Sequence, residues 1–182
     1  MDSAPNEVPS SAHLPDQLNI ASYFIDRNLE LGRQDKIAIY EQGRQLRYGQ
    51  LAEMVNRVGN ALQSLGVQPE DRVLLALPDS AEFVAIFFGV AKIGAIPVPL
   101  NPATRPGDFL YFAMDTGAKA LVAMEELWPH LQGVLCQARR LRHVLLVPSA
   151  CGEAPGNMAE VPAQASFCCW SFPKLLRRPR PN

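Results

Sequence analysis

The 182-residue sequence predicts an α/β fold: a mainly parallel sheet flanked by helices. Three observations carry that prediction. The stretches "DRVLLALP" (71–78), "AKALVAM" (118–124) and "RHVLLVP" (142–148) are continuous apolar runs, as in parallel strands covered on both faces. Segments with helical spacing lie between them, and Gly or Pro punctuates the joins.

Taken in order, residues 1–17 are rich in Pro, Ser and acid and read as a disordered lead. "NIASYFIDRNLELG" (19–32) puts Ile20, Phe24, Ile25, Leu29 and Leu31 on a broad apolar side, with Gly32 as the stop. "KIAIYEQGRQLRY" (36–48) reads as a hairpin with Gly43 in its turn. In "YGQLAEMVNRVGNALQSLG" (48–66), Leu51, Val55, Val58, Leu62 and Leu65 recur at helical spacing, and Gly66 ends the helix.

After the 71–78 strand, Asp79 or Ser80 caps a helix, with Glu82 three residues after Asp79 as in a capping box. That helix, "SAEFVAIFFGVAKIG", is apolar nearly all round and should be deeply buried. "AIPVPLN" follows Gly94 as a short strand edged by Pro97 and Pro99. A short helix over 105–117, the 118–124 strand, a helix over 125–139 and the 142–148 strand complete the alternation. No repeats appear.

Composition narrows the function. The net charge is −1, but Lys174, Arg177, Arg178 and Arg180 follow the last acid, Glu160, leaving −5 for residues 1–160. Such a body has no general attraction for nucleic acid. The start lacks a basic and apolar leader, and the longest apolar run, "FVAIFFGVA" (83–91), is too short to span a membrane. With four cysteines in no disulfide framework, the expectation is a cytoplasmic, reduced protein.

The stretch "GRQLRYGQLAEMVNRVGNALQSLGVQPEDRVLLALPDSAEFVAIFFGVAKIGAIPVPLNP" resembles the N-terminal part of the adenylate-forming (AMP-dependent synthetase/ligase) superfamily. "LRYGQL" (46–51) is similar to its first core motif and "AKIGAIPVPLN" (91–101) to its second. "LNIASYFIDRNLELGRQDKIAIY" and "DFLYFAMDTGAKALV" make it most like the benzoate-CoA ligase group, over about residues 18–148. The resemblance implies an incomplete N-terminal portion of the ligase fold, in a family that converts a carboxylic acid, ATP and CoA to acyl-CoA, AMP and pyrophosphate. A benzoate-like acid is favoured.

The same resemblance implies ATP, magnesium and CoA for the full-length family, bound by a Ser/Thr/Gly-rich phosphate loop, later acids and a C-terminal lysine. No stretch of this sequence matches those elements. "CGEAPGNM" (151–158) lacks the Ser/Thr run, and Pro173–Lys174 has no glycines before it. The matched motifs read as structural. Arg47 departs from the family's Thr or Ser, which would cap the following helix. Catalytic, cofactor-binding and metal-ligating residues are therefore all expected to be none, and the chain is expected to be inactive alone. The alternative is a non-catalytic module with a ligase-like fold, pairing with a complementary ligase chain or with itself through exposed apolar surface.

Residues 149–182, ending "SFCCWSFPKLLRRPRPN", have three readings. Cys151, Cys168, Cys169 and His143 could bind a metal, but adjacent cysteines rarely reach one ion together. "KLLRRPRP" could be a basic or proline-type recognition segment. The favoured expectation is a disordered, off-frame or truncated tail, because Arg, Pro, Cys and Trp without acids are typical of GC-rich DNA read out of frame. His13, His130 and His143 read as surface or capping histidines, and Asp79, Glu82 and Lys92 as cap and helix-end charges.

Overall fold

The structure, a computed structural model, describes residues 17–148 and 167–173. A hairpin of β1 (Ile37–Glu41) and β2 (Arg44–Arg47) stands apart from a five-stranded parallel sheet. In the sheet β3 (Arg72–Ala76), β4 (Ile96–Pro99), β5 (Ala120–Met124), β6 (His143–Val147) and β7 (Cys168–Ser171) take the order β4-β3-β5-β6-β7. The fold is thus the mainly parallel α/β arrangement, flanked by helices, that the sequence predicts.

The continuous apolar runs are explained by two-sided cover. Val73, Leu75, Val122, Leu145 and Val147 face α2 (Tyr48–Ser64) and α3 (Ala81–Lys92). Alternate residues Leu74, Ala76, Leu121, Ala123, Val144 and Leu146 face α4 (Pro106–Asp115) and α5 (Trp128–Leu135). Because side chains alternate along a strand, both sets must be apolar. A third cluster of Ile25, Leu46, Leu51, Val55 and Ala85 fastens the hairpin to α2 and α3. Edge strand β4 carries Pro97 and Pro99, whose missing N–H groups suit an edge.

The hairpin turn has both central residues left-handed, Gln42 (φ 45) and Gly43 (φ 82), as a two-residue turn matched to strand twist requires. Arg47 gives α2 no side-chain cap. Instead the Tyr48 N–H donates to Lys36 O (2.9 Å) and the Gly49 N–H to Gln34 O (2.9 Å). The Gln50 Oε1 accepts from the Arg47 N–H at 2.9 Å, and the Arg47 guanidinium reaches Asp35 O. Backbone carbonyls from the hairpin approach do the work of the absent hydroxyl.

Several expectations need correction. The first helix is a π-helical turn, Ser22–Asp26, running into the single turn α1 (Arg27–Glu30). A π-helix winds more residues per turn, so the expected apolar side is not kept: Ile25 is 2% exposed, while Phe24 and Leu31 are each 54% exposed. On α3, Ala81, Ala85, Ile86, Gly89 and Val90 are buried, but Phe83, Val84, Phe87 and Phe88 are only partly so. Of the two expected caps of α3 it is Ser80 that serves, its Oγ accepting from the Phe83 N–H at 3.1 Å. Glu82 meets Arg44 at 3.4 Å instead of forming a capping box. The 125–139 helix is a 3₁₀ turn, Glu125–Leu127, followed by α5, because Pro129 at the head of α5 lacks an N–H for the preceding turn.

The largest departure is in the tail. The expected disorder of 149–182 does not hold over 167–173, where β7 pairs with β6 in register His143↔Cys168 to Leu146↔Ser171. Phe167 packs edge-on to Trp128 with ring centroids 6.0 Å apart, and Phe167 and Phe172 are both 5% exposed. Aromatic burial on both faces is what holds this short strand. The expectations for 1–16, 149–166 and 174–182 lie outside the described residues.

Candidate functional site

Among the described residues, one concave feature sits where the loops leave β3 and β4 at their carboxyl ends. A cleft of about 380 Å³ is lined there by Leu77, Pro78, Asp79 and Phe83 from one side and Pro99, Leu100, Asn101 and Pro102 from the other. The chain runs from β3 outward to β4, then crosses back over β3 to β5. The switch point of this order lies between β3 and β5, and the cleft, between the ends of β3 and β4, shares with it the loop after β3. The Asn101 Oδ1 accepts from the Ala103 N–H at 2.9 Å, which fixes the rim as a turn. Asp79 is the ionisable group of the wall, and no cation stands among the lining residues. Apart from Asp79 and Asn101, the lining side chains are apolar.

The charged residues considered from sequence do not converge on the cleft. Lys92 pairs with Asp26 at 2.6 Å, and Asn19 Nδ2 donates to Ala91 O at 2.8 Å, strapping the π-helical turn to the end of α3. Asp79 alone reaches the cleft wall, while Glu82 is held by Arg44. His130 is exposed on α5. His143, expected at the surface or in a cap, is half-buried and accepts from the Trp170 Nε1–H at 3.3 Å. Sequence spacing could not reveal that pair, because it depends on β7 lying beside β6.

Three groups titrate away from their ordinary values. Burial would raise the Asp71 carboxyl, but hydrogen bonds from Lys119 (2.9 Å) and the Gln68 N–H (2.7 Å), with the charges of Lys119 and Arg72, hold it below the usual range. Burial, with the nearby charges of Lys119 and Arg142, pushes His143 down against a hydrogen bond to the Leu65 backbone. Burial pushes the Cys169 thiol up to about 11, against a hydrogen bond to the Trp170 backbone and with help from Glu125. Cys168 and Cys169, as successive strand residues, point to opposite faces and cannot share an ion. Among the described residues no group of three His, Cys, Asp or Glu is placed to hold a metal, and Cys151 lies outside them.

Comparison with known proteins puts this geometry in context. A family model described as an AMP-binding enzyme matches residues 26–166. The chain belongs to the AMP-binding enzyme family. It is 34% identical over 149 residues to the benzoate–CoA ligase of Thauera aromatica, covering 81% of this chain and 28% of that one. It is 35% identical over 137 residues to the 4-hydroxybenzoate–CoA/benzoate–CoA ligase of Rhodopseudomonas palustris, covering 75% and 25%. Among solved structures, an anthranilate CoA ligase in complex with anthranoyl-AMP superposes with a TM-score of 0.75 at 30% identity, over 90% of this chain and 29% of that one. A benzoate CoA ligase from Burkholderia xenovorans LB400 gives 0.69 at 27% identity, over 91% and 29%.

This member of the family corresponds to an amino-terminal part of an adenylate-forming enzyme of the benzoate-CoA ligase type. It spans between 25% and 29% of the length of these relatives. No helix among its described residues is long and apolar enough to cross a membrane.

Proposed function

We propose that this chain is the amino-terminal portion of an aryl-CoA ligase and, alone, a folded scaffold rather than a catalyst. The supporting observation is its identity to two benzoate-activating ligases over most of its own length but little of theirs. The reaction of the whole enzyme would be the one the family resemblance implies. A benzoate-like acid and ATP give an acyl-adenylate and pyrophosphate, and the thiol of CoA then displaces AMP. No step is assigned to a residue of this chain, because the cleft walls offer no cation for a polyphosphate. A cytoplasmic setting agrees with the free thiols of Cys136, Cys168 and Cys169.

The test is calorimetric titration of ATP with magnesium into the whole chain at physiological salt. The reading expects no saturable binding, since exposed charge alone gives only a weak, salt-screened attraction. Stoichiometric binding that survives added salt would contradict it.

A further inference from the structure

We propose that β7 is held on the sheet by a proton-sensitive latch, the Trp170–His143 hydrogen bond, which opens as pH falls. The geometry requires a particular protonation state. Trp170 Nε1 can only donate, so His143 Nδ1, 3.3 Å away, must carry a lone pair. The imidazolium has two N–H groups and no acceptor, so protonation at Nδ1 removes the bond and leaves two donors facing one another.

The surroundings decide which state wins. His143 pairs with Ala120 of β5 on one side and Cys168 of β7 on the other. The groups whose charge acts on the ring are Lys119, just before β5, and Arg142, just before β6, both cations. The nearby carboxylate, Asp71, is engaged by Lys119 at 2.9 Å. The end of α2 offers the Leu65 backbone, and β7 offers Trp170 and the Cys168 thiol. Lys119 and Arg142 continue a lateral row from Arg72: the Lys119 N–H donates to Arg72 O at 2.9 Å and the Arg142 N–H to Lys119 O at 2.8 Å. A further positive charge beside this row of three is disfavoured, so the neutral ring and the closed latch prevail near neutrality.

The direction of the pH effect follows. The folded-state value of His143 lies below its ordinary 6.5, so the unfolded or released state takes up the proton first. The latch is fully effective above that ordinary value and is lost as pH falls through the lowered one. β7 is otherwise held by four register pairs and two buried phenylalanines, so acid loosens this edge before the rest of the sheet.

Amide hydrogen exchange of the full chain tests this, comparing wild type with His143→Asn, whose Oδ1 takes the place of Nδ1, at each pH so that intrinsic exchange cancels. The variant's carboxamide oxygen can still accept from Trp170 and does not titrate. Between pH 7.5 and 5, wild-type protection over residues 168–171 should fall roughly two- to tenfold relative to the variant, the range of one hydrogen bond. Residues 120–124 of β5 serve as the reference and should not change. An equal ratio at both pH values overturns the latch. Nitrogen NMR of the wild-type ring is the second reading, independent of whether the variant folds. It should show unprotonated Nδ1 at pH 7.5 and titration below 6.5; a protonated Nδ1 at pH 7.5 overturns the proposal.

Discussion

Gly89 shows how closely single atoms set this packing. A Cβ built there would stand 2.6 Å from Val58 Cγ1 and 3.1 Å from Val55 O, so α3 would have to lift from α2. Gly89→Ala should destabilise the chain by about 1–3 kcal/mol, the usual penalty of overpacking. Gly133, exposed on α5 with nothing within 4 Å, is the control: Gly133→Ala should be stabilising, by about 0.5–1 kcal/mol. Urea denaturation of both variants measures the pair, and equal effects would mean that α2 and α3 are not in close contact. From sequence alone Gly89 is a helix-weakening residue inside "FVAIFFGVA"; its reason exists only once Val58 is opposite it.

At the scale of elements, long amphipathic segments and continuous apolar strands were legible because their pattern directly encodes burial. Leu51, Val55, Val58 and Leu62 lie on the core side of α2 as their spacing requires. The first helix was less so, because a π-helical turn breaks the 3.6-residue period on which that reading rests. β7 was not legible: four residues give no useful periodicity, and its order comes from Phe167 on Trp128 and Trp170 on His143. The cleft was equally hidden, since Asp79 and Asn101 meet only through the pairing of β3 with β4.

One element-level consequence concerns aromatic surface. The rings Phe83, Phe87, Phe88, Phe24 and Tyr23 form a series with successive centroids 6.1, 5.6, 6.3 and 5.2 Å apart, running from the cleft to the π-helical turn. With Phe24 54% exposed, such a surface favours association. Sedimentation velocity should show concentration-dependent oligomers that Phe24→Ser reduces. A wild-type monomer at every concentration would refute this.

At the scale of the whole molecule, a well-covered sheet carries a cleft with one carboxylate among its lining residues. Both sheet faces are packed, and no buried side-chain polar atom among the described residues lacks a hydrogen bond. Such a body can fold as part of a larger enzyme, and under the proposed function the charge of the reaction is stabilised by the rest of that enzyme. The most direct test of this assignment is benzoate-dependent ATP–pyrophosphate exchange by a chimera. In it, residues 18–148 of this chain replace the matching stretch of the Thauera aromatica benzoate–CoA ligase, with circular dichroism confirming a cooperative fold. The account predicts exchange that depends on benzoate, because the chain supplies the same structural portion. A cooperatively folded chimera without exchange would contradict it.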